Sequence, residues 1–209
     1  MAAPDPKKRD VLISKALSYL LRHGAIKENL TISEDGYIKI SDLLNHNRLK
    51  SNKTTYEDIQ RIVIGNDKQR FTISEDGEYI CANQGHSLKV ISNNNLTLFT
   101  QDNIPHEIYH GTYRNKLEAI LISGGLSKMN RNHIHFTSTE LSNISGIRQN
   151  ANVLIYLDVE ECLKNGIKFY RSLNDVILSE GNENGIISSK YFAKVVDLKS
   201  NQEIDISQY

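Results

Sequence analysis

The sequence predicts an α+β protein built in two parts. Three observations carry this. Residues 11–66 are ruled by helical periodicity, with a β-hairpin signal directly behind them. A polar, Asn-rich stretch, "SNNNLTLFTQDNIP" (92–105), then closes on Pro105. Beyond it, short alternating apolar runs replace most of the helical spacing. The expected parts are residues 1–95 and 105–209.

The elements follow in order. From Val11 to His23 the apolar residues Ile13, Ala16, Leu17, Leu20 and Leu21 fall on one helix face. Arg22 and His23 close this helix as cations at its C-terminus, and Gly24 is expected to take the left-handed turn that stops it. "TISEDGYIKI" (31–40) returns as "TISEDGEYI" (72–80), each a short apolar alternation around an Asp-Gly turn. The second copy reads as a strand–turn–strand hairpin. "SDLLNHN" (41–47) is expected to start at a Ser N-cap, and "TTYEDIQRIVIGN" (54–66) is a second amphipathic helix. Helices followed by a hairpin are the order of a winged-helix module. In the second part, "EIYHGT" reads as a strand end and turn, and "RNKLEAILISGG" as a helix stopped by Gly124–Gly125. "NHIHFTST", "GIKFYRS", "DVILSE" and "FAKVVDL" read as strands, and "NVLIYLDV" as a central strand.

Composition removes several classes of function. No run of about 18 apolar residues exists, so no membrane partner is expected. Lys7, Lys8 and Arg9 lack the apolar stretch of a secretion signal and read as a frayed basic terminus. Cys81 and Cys162 stand in no metal-ligand spacing and read as free thiols of an intracellular protein, cytoplasmic or nuclear. The formal net charge is zero, with 14 basic against 12 acidic residues up to position 95 and 11 against 13 after it. A polyanion would have to be met by a local cluster.

Four kinds of chemistry were weighed against the residues. His133 and His135 share a strand face, but no carboxylate or Cys stands at matching spacing, so no metal is expected. Neither Cys has a neighbouring His, and no G-x-S-x-G or G-x-G-x-x-G motif occurs. "YHGT" lets a ligand approach the backbone at Gly111 and offers the Thr112 hydroxyl. Phosphate binding has four short supports: Arg22–His23, Arg70 at the hairpin head, His86 in "QGHS" and Arg131 before "HIHF". Each alone reads as a solvated cation. Together they offer planar, bidentate donors for a phosphate.

Taken in order, "LSYLLRH", "KQRFTISEDGEYICANQGHS", "YHGT", "GGLSKMNRNHIHF", "NVLIYLDV", "GIKFYRSLNDVIL" and "YFAKVV" resemble the tRNA 2′-phosphotransferase family. The resemblance runs from about Ile13 to Val196. It implies an N-terminal winged-helix-like RNA lobe and a C-terminal lobe like that of ADP-ribosyltransferases. It implies NAD-dependent removal of the internal 2′-phosphate at a tRNA splice junction. The products would be nicotinamide and ADP-ribose 1″,2″-cyclic phosphate. The partners would be 2′-phosphorylated tRNA and NAD, met by a monomer.

The family's four catalytic positions fall on Arg22, His23, Arg70 and Arg131. His23 would be the general acid for the departing RNA 2′-oxygen. His110, Gly111, Thr112 and His135 would hold NAD, with Arg148 on its pyrophosphate, and Gln84 and His86 would face RNA. Related transferases carry a glutamate on a late strand, where this sequence has "NDVIL" around Val176 and Ile177. A phosphate nucleophile is already ionised and needs no such base. Two rival readings remain: an ADP-ribosyltransferase that stops after the first step, and a winged-helix RNA-binding protein without catalysis. The first has no need of Arg22, His23 and Arg70; the second leaves "YHGT" and "RNHIHF" unexplained.

Overall fold

A computed structural model describes residues 6–141 and 150–209. The chain is α+β, and its contacts group it into two compact units, Met1–Asn95 and Leu96–Tyr209. Each unit has its own hydrophobic core.

In the first unit, helix α1 spans Pro6–Tyr19 and runs into a π-helical turn, Leu20–Gly24. The basic terminus is not frayed. Lys7, Lys8 and Arg9 lie inside α1, and Arg9 donates to both carboxylate oxygens of Asp58, at 2.9 and 2.6 Å. Gly24 also departs from expectation. It takes no left-handed turn, and the residue after it is still right-handed helical. Glycine is needed for another reason: a Cβ there would enter the Tyr19 ring. Along this turn Leu20 and Leu21 are fully buried, Arg22 is half-buried and His23 is exposed.

Strand β1 (Tyr37–Lys39) leads directly into α2 (Ile40–Asn45), then α3 (Asn47–Lys50) and α4 (Tyr56–Ile64). Strands β2 (Phe71–Ile73) and β3 (Tyr79–Ala82) form the hairpin. The antiparallel sheet has the order β1-β3-β2, with Tyr37 and Thr72 flanking Cys81. Only the second "TISEDG" copy is a hairpin; in the first, the strand begins after Gly36 and ends at a helix. The expected Ser41 cap is absent, because Lys39 is the N-cap and Ser41 lies within the helix. Thr55, by contrast, forms a capping box with Asp58.

The second unit starts earlier than the Asn-rich stretch suggests. Strand β4 (Thr97–Leu98) pairs with β9 (Tyr170–Arg171), and Phe99 enters the core. Strand β5 (Tyr109–Thr112) precedes α5 (Arg114–Ile122) and β6 (Gly125–Ser127). Then come β7 (Ile134–Phe136), β8 (Val153–Leu157), α6 (Val159–Lys164) and, past β9, β10 (Ile177–Ser179). Strands β11 (Ile186–Ser188), β12 (Phe192–Asp197) and β13 (Gln202–Glu203) complete the unit. Helix α6 lies where the sequence reads as the end of a strand; Asp158 caps it and stops β8 at Leu157.

The sheets are antiparallel, with orders β13-β12-β8-β5 and β4-β9-β10-β7, and β11 pairs with β6. The two larger sheets meet at a single bridge. There Tyr109 and Thr137 exchange two backbone hydrogen bonds of 3.0 Å. This junction sets β5 beside the end of β7.

Candidate active site

The first unit gathers three of the predicted cations around one short loop. Residues Asn83–Ser87 follow β3. At the near end, the Asn83 N–H donates to the Arg70 carbonyl at 2.9 Å, and Asn83 Nδ2 donates to the Gln69 carbonyl at 2.6 Å. Asn83 Oδ1 in turn accepts from the Thr72 hydroxyl at 2.7 Å. These bonds hold a turn in which Gln69 has a positive φ of 43°. Arg70 Nη1 donates to Asn66 Oδ1 at 3.2 Å, which fixes the guanidinium from its other side.

At the far end of the loop, the Ser87 N–H donates to the Arg22 carbonyl at 2.9 Å. Ser87 Oγ lies 2.9 Å from His23 Nδ1. Gly85, at φ 87°, runs beside the Arg22 guanidinium; a Cβ there would sit 3.5 Å from Nε. Gly36, at φ 84°, closes on His86, where a Cβ would sit 3.2 Å from Nε2. Gln84 and His86 are half-buried members of the same loop. His23 is exposed, and Arg22 and Arg70 are half-buried.

In the second unit, His110 and His135 come together. His110 Nδ1 lies 2.8 Å from the His135 carbonyl oxygen. A carbonyl only accepts, so Nδ1 carries the proton and Nε2 is the basic nitrogen of the neutral ring. The His110 ring stands edge-on to Phe136, with centroids 5.9 Å apart. Gly111 and Thr112 are buried on β5. Beside them Thr137 is only 1% exposed, and its hydroxyl has no hydrogen-bond partner among the described residues. Arg131 is exposed in the turn ahead of β7, where its N–H donates to the Lys128 carbonyl at 3.0 Å. Arg148 lies outside the described residues.

Val176 and Ile177 are fully buried, so this segment presents apolar side chains to the core. Asp175 pairs with Arg171 at 2.7 Å. His133 is pushed below the usual imidazole range by burial. Burial also pushes the Cys81 thiol up to about 11 and the Cys162 thiol up to about 12. Neither is a nucleophile at neutral pH. Among the described residues no group of three or more His, Cys, Asp or Glu could hold a metal. No helix among them is long and apolar enough to cross a membrane.

Reasoning from sequence missed Asn66, Asn83 and Ser87. Two of the three stand within the quoted "ANQGHS" piece, yet nothing in their residue type marks them; the side-chain partner of Ser87, His23, lies 64 positions away.

Hydrogen-bonded arginines beside a serine-held histidine are the equipment of an enzyme that transfers a phosphorus-bearing group. Comparison with known proteins makes that class specific. Residues 8–181 match the model of the RNA 2′-phosphotransferase, Tpt1 / KptA family. A tRNA 2′-phosphotransferase of Saccharomyces cerevisiae is 46% identical, over 95% of this chain and 90% of its own. The Homo sapiens tRNA 2′-phosphotransferase 1 is 38% identical, over 96% and 82%. A probable RNA 2′-phosphotransferase of Acaryochloris marina is 33% identical, over 88% and 96%. The chain belongs to the RNA 2′-phosphotransferase family and is a transferase.

Proposed function

We propose that the chain removes the internal 2′-phosphate at the splice junction of a ligated tRNA, with NAD⁺ consumed in the reaction. Similarity to relatives named tRNA 2′-phosphotransferase supports the substrate. The first unit's order of helix, strand, three helices and hairpin supports a winged-helix-like RNA lobe over residues 1–95. Two antiparallel sheets meeting at Tyr109–Thr137 support an ADP-ribosyltransferase-like lobe over residues 105–209. The protein acts as a monomer, and its buried, free thiols suit a reducing compartment, cytoplasm or nucleus.

The second unit's residues fit NAD⁺. Gly111 lets the cofactor approach β5, and the buried Thr112 and Thr137 hydroxyls offer donors to its ribose and phosphates. His110, oriented by the His135 carbonyl, presents Nε2 as an acceptor. Bound NAD⁺ supplies an electrophilic ribose carbon and a leaving group, nicotinamide. The RNA 2′-phosphate attacks that carbon, and the broken C–N bond's electron pair leaves with nicotinamide. In the second step the ribose 2″-hydroxyl attacks the phosphorus and the P–O2′ bond to RNA breaks. The hydroxyl's proton is lost and the RNA oxygen gains one, so no water is consumed.

Arg22, Arg70 and Arg131 neutralise charge on the phosphate in the second step, and His23 protonates the departing 2′-oxygen. Gln84 and His86 contact RNA. The observation that carries this reading is the Asn83–Ser87 loop, which braces Arg70 at one end and Arg22–His23 at the other. The test is a time course with His23→Asn, 2′-phosphorylated RNA and NAD⁺. RNA carrying ADP-ribose on its 2′-phosphate is expected to accumulate. Loss of nicotinamide release as well would contradict the role given to His23.

A further inference from the structure

We propose that Ser87 is a positioning residue: its hydroxyl holds the His23 ring in the orientation that aims Nε2 at the departing RNA oxygen. This rests on His23 being the general acid of the second step. Four observations carry it. Ser87 Oγ is 2.9 Å from His23 Nδ1. Ser87 is itself tied down, because its N–H donates to the carbonyl of Arg22, the residue next to His23. The preceding Gly85 has φ 87°, a conformation that carries the loop back beside Arg22. Finally, His23 sits in a π-helical turn whose neighbours Leu20, Leu21 and Gly24 are buried. The backbone there has little freedom, so Ser87 acts on the ring through its χ angles.

The chemistry follows from hydrogen-bonding capacity. An imidazolium carries protons on both nitrogens, so Nδ1–H donates and Ser87 Oγ accepts. When Nε2 gives its proton to the RNA oxygen, the neutral ring keeps Nδ1–H and the same bond. The hydroxyl, which can donate as well as accept, holds the ring through Nδ1 in either state and leaves Nε2 as the exchanging nitrogen. A carboxylate in its place would add charge and raise the ring's basicity. A hydroxyl orients the ring without that penalty to proton donation. The "QGHS" motif acquires a role by this route: Gly85 makes the turn and Ser87 reaches the catalytic ring.

The test uses the full chain with ¹⁵N-labelled histidine, and His23 signals are identified by their loss in His23→Asn. The wild-type Nδ1 resonance is expected at a hydrogen-bonded position. Ser87→Ala and the near-isosteric Ser87→Cys should move it toward the position of a solvated ring, and Ser87→Thr should restore it. In single turnover, Ser87→Ala should slow clearance of ADP-ribosylated RNA by roughly 10- to 100-fold, with its formation unchanged. Ser87→Thr should recover most of that loss. An unchanged Nδ1 resonance in both Ala and Cys variants overturns the proposal, whatever the rates do. A shifted resonance with unchanged clearance overturns it too, and shows that the contact does not serve the second step. If wild-type protein forms no ADP-ribosylated RNA, the functional reading fails by itself, while the ring signals still decide the Ser87 contact.

Discussion

Asn83→Ala separates the brace on Arg70 from the arginine itself. Asn83 is 7% exposed and its side chain makes two bonds, one to the Gln69 carbonyl and one from the Thr72 hydroxyl. Each such bond contributes about 1 kcal/mol net, and an abandoned buried partner costs about 1–3 kcal/mol more. Thr72 is half-buried and Gln69 is exposed, so both abandoned groups can turn to water and the lost bonds themselves are the main cost. The total comes to about 2 kcal/mol. A urea titration of the first unit reads this as a lowered midpoint with unchanged slope. Activity should fall further than stability explains. Gln69 is at φ 43°, and without Asn83 the turn can relax toward negative φ and carry Arg70 away from its place. In conditions where the variant is over nine-tenths folded, single-turnover phosphate removal should drop by about 10- to 100-fold. Arg70→Ala combined with Asn83→Ala should be no worse than Arg70→Ala alone. If Asn83→Ala loses stability but keeps full activity, the Gln69–Arg70 turn does not depend on its amide and the reasoning is wrong.

Further outcomes follow from the same contacts. Asp58 is held well below the usual carboxylate range by hydrogen bonds from Arg9, the Thr55 N–H and Arg61, against the opposing effect of burial. Its stabilisation is therefore complete above about pH 4, the unfolded value, and is lost as pH falls toward the lower folded value. Asp58→Asn should cost about 2 kcal/mol at pH 7 and flatten the acid limb of a stability–pH curve; an unchanged limb counts against the assignment. Gly24→Ala should push Tyr19 off the Arg48 guanidinium, now 4.3 Å from its ring, and lower stability by about 1–3 kcal/mol in thermal unfolding. Cys81 and Cys162, fully buried and raised to about 11 and about 12, should resist alkylation at pH 8 in the native chain and react at once in denaturant.

The candidate cations stand out in the sequence only in combination, since each alone reads as a solvated cation. Arg22 and His23 lie in the turn that follows α1, Arg70 directly precedes β2 and Arg131 lies in the turn ahead of β7. The π-turn was not legible. Ile13, Leu17, Leu20 and Leu21 all fit an α-helical period, so nothing in their spacing announces the wider turn. Helix α6 was hidden behind the apolar run of β8, and only Asp158 at its N-cap marks the change. Strand β4 is two residues long inside a polar stretch, too short for any periodicity to reveal. The braces Asn66, Asn83 and Ser87 are small polar residues whose meaning lies wholly in partners the chain brings back to them.

The central claim is that phosphate leaves RNA only by way of NAD⁺. An RNA carrying a single ³²P-labelled internal 2′-phosphate, incubated with the protein with and without NAD⁺, tests it most directly. The account predicts that label moves to ADP-ribose cyclic phosphate, with nicotinamide released in equal amount, and that nothing moves without NAD⁺. Label appearing as inorganic phosphate, or moving at the same rate when NAD⁺ is absent, would contradict it.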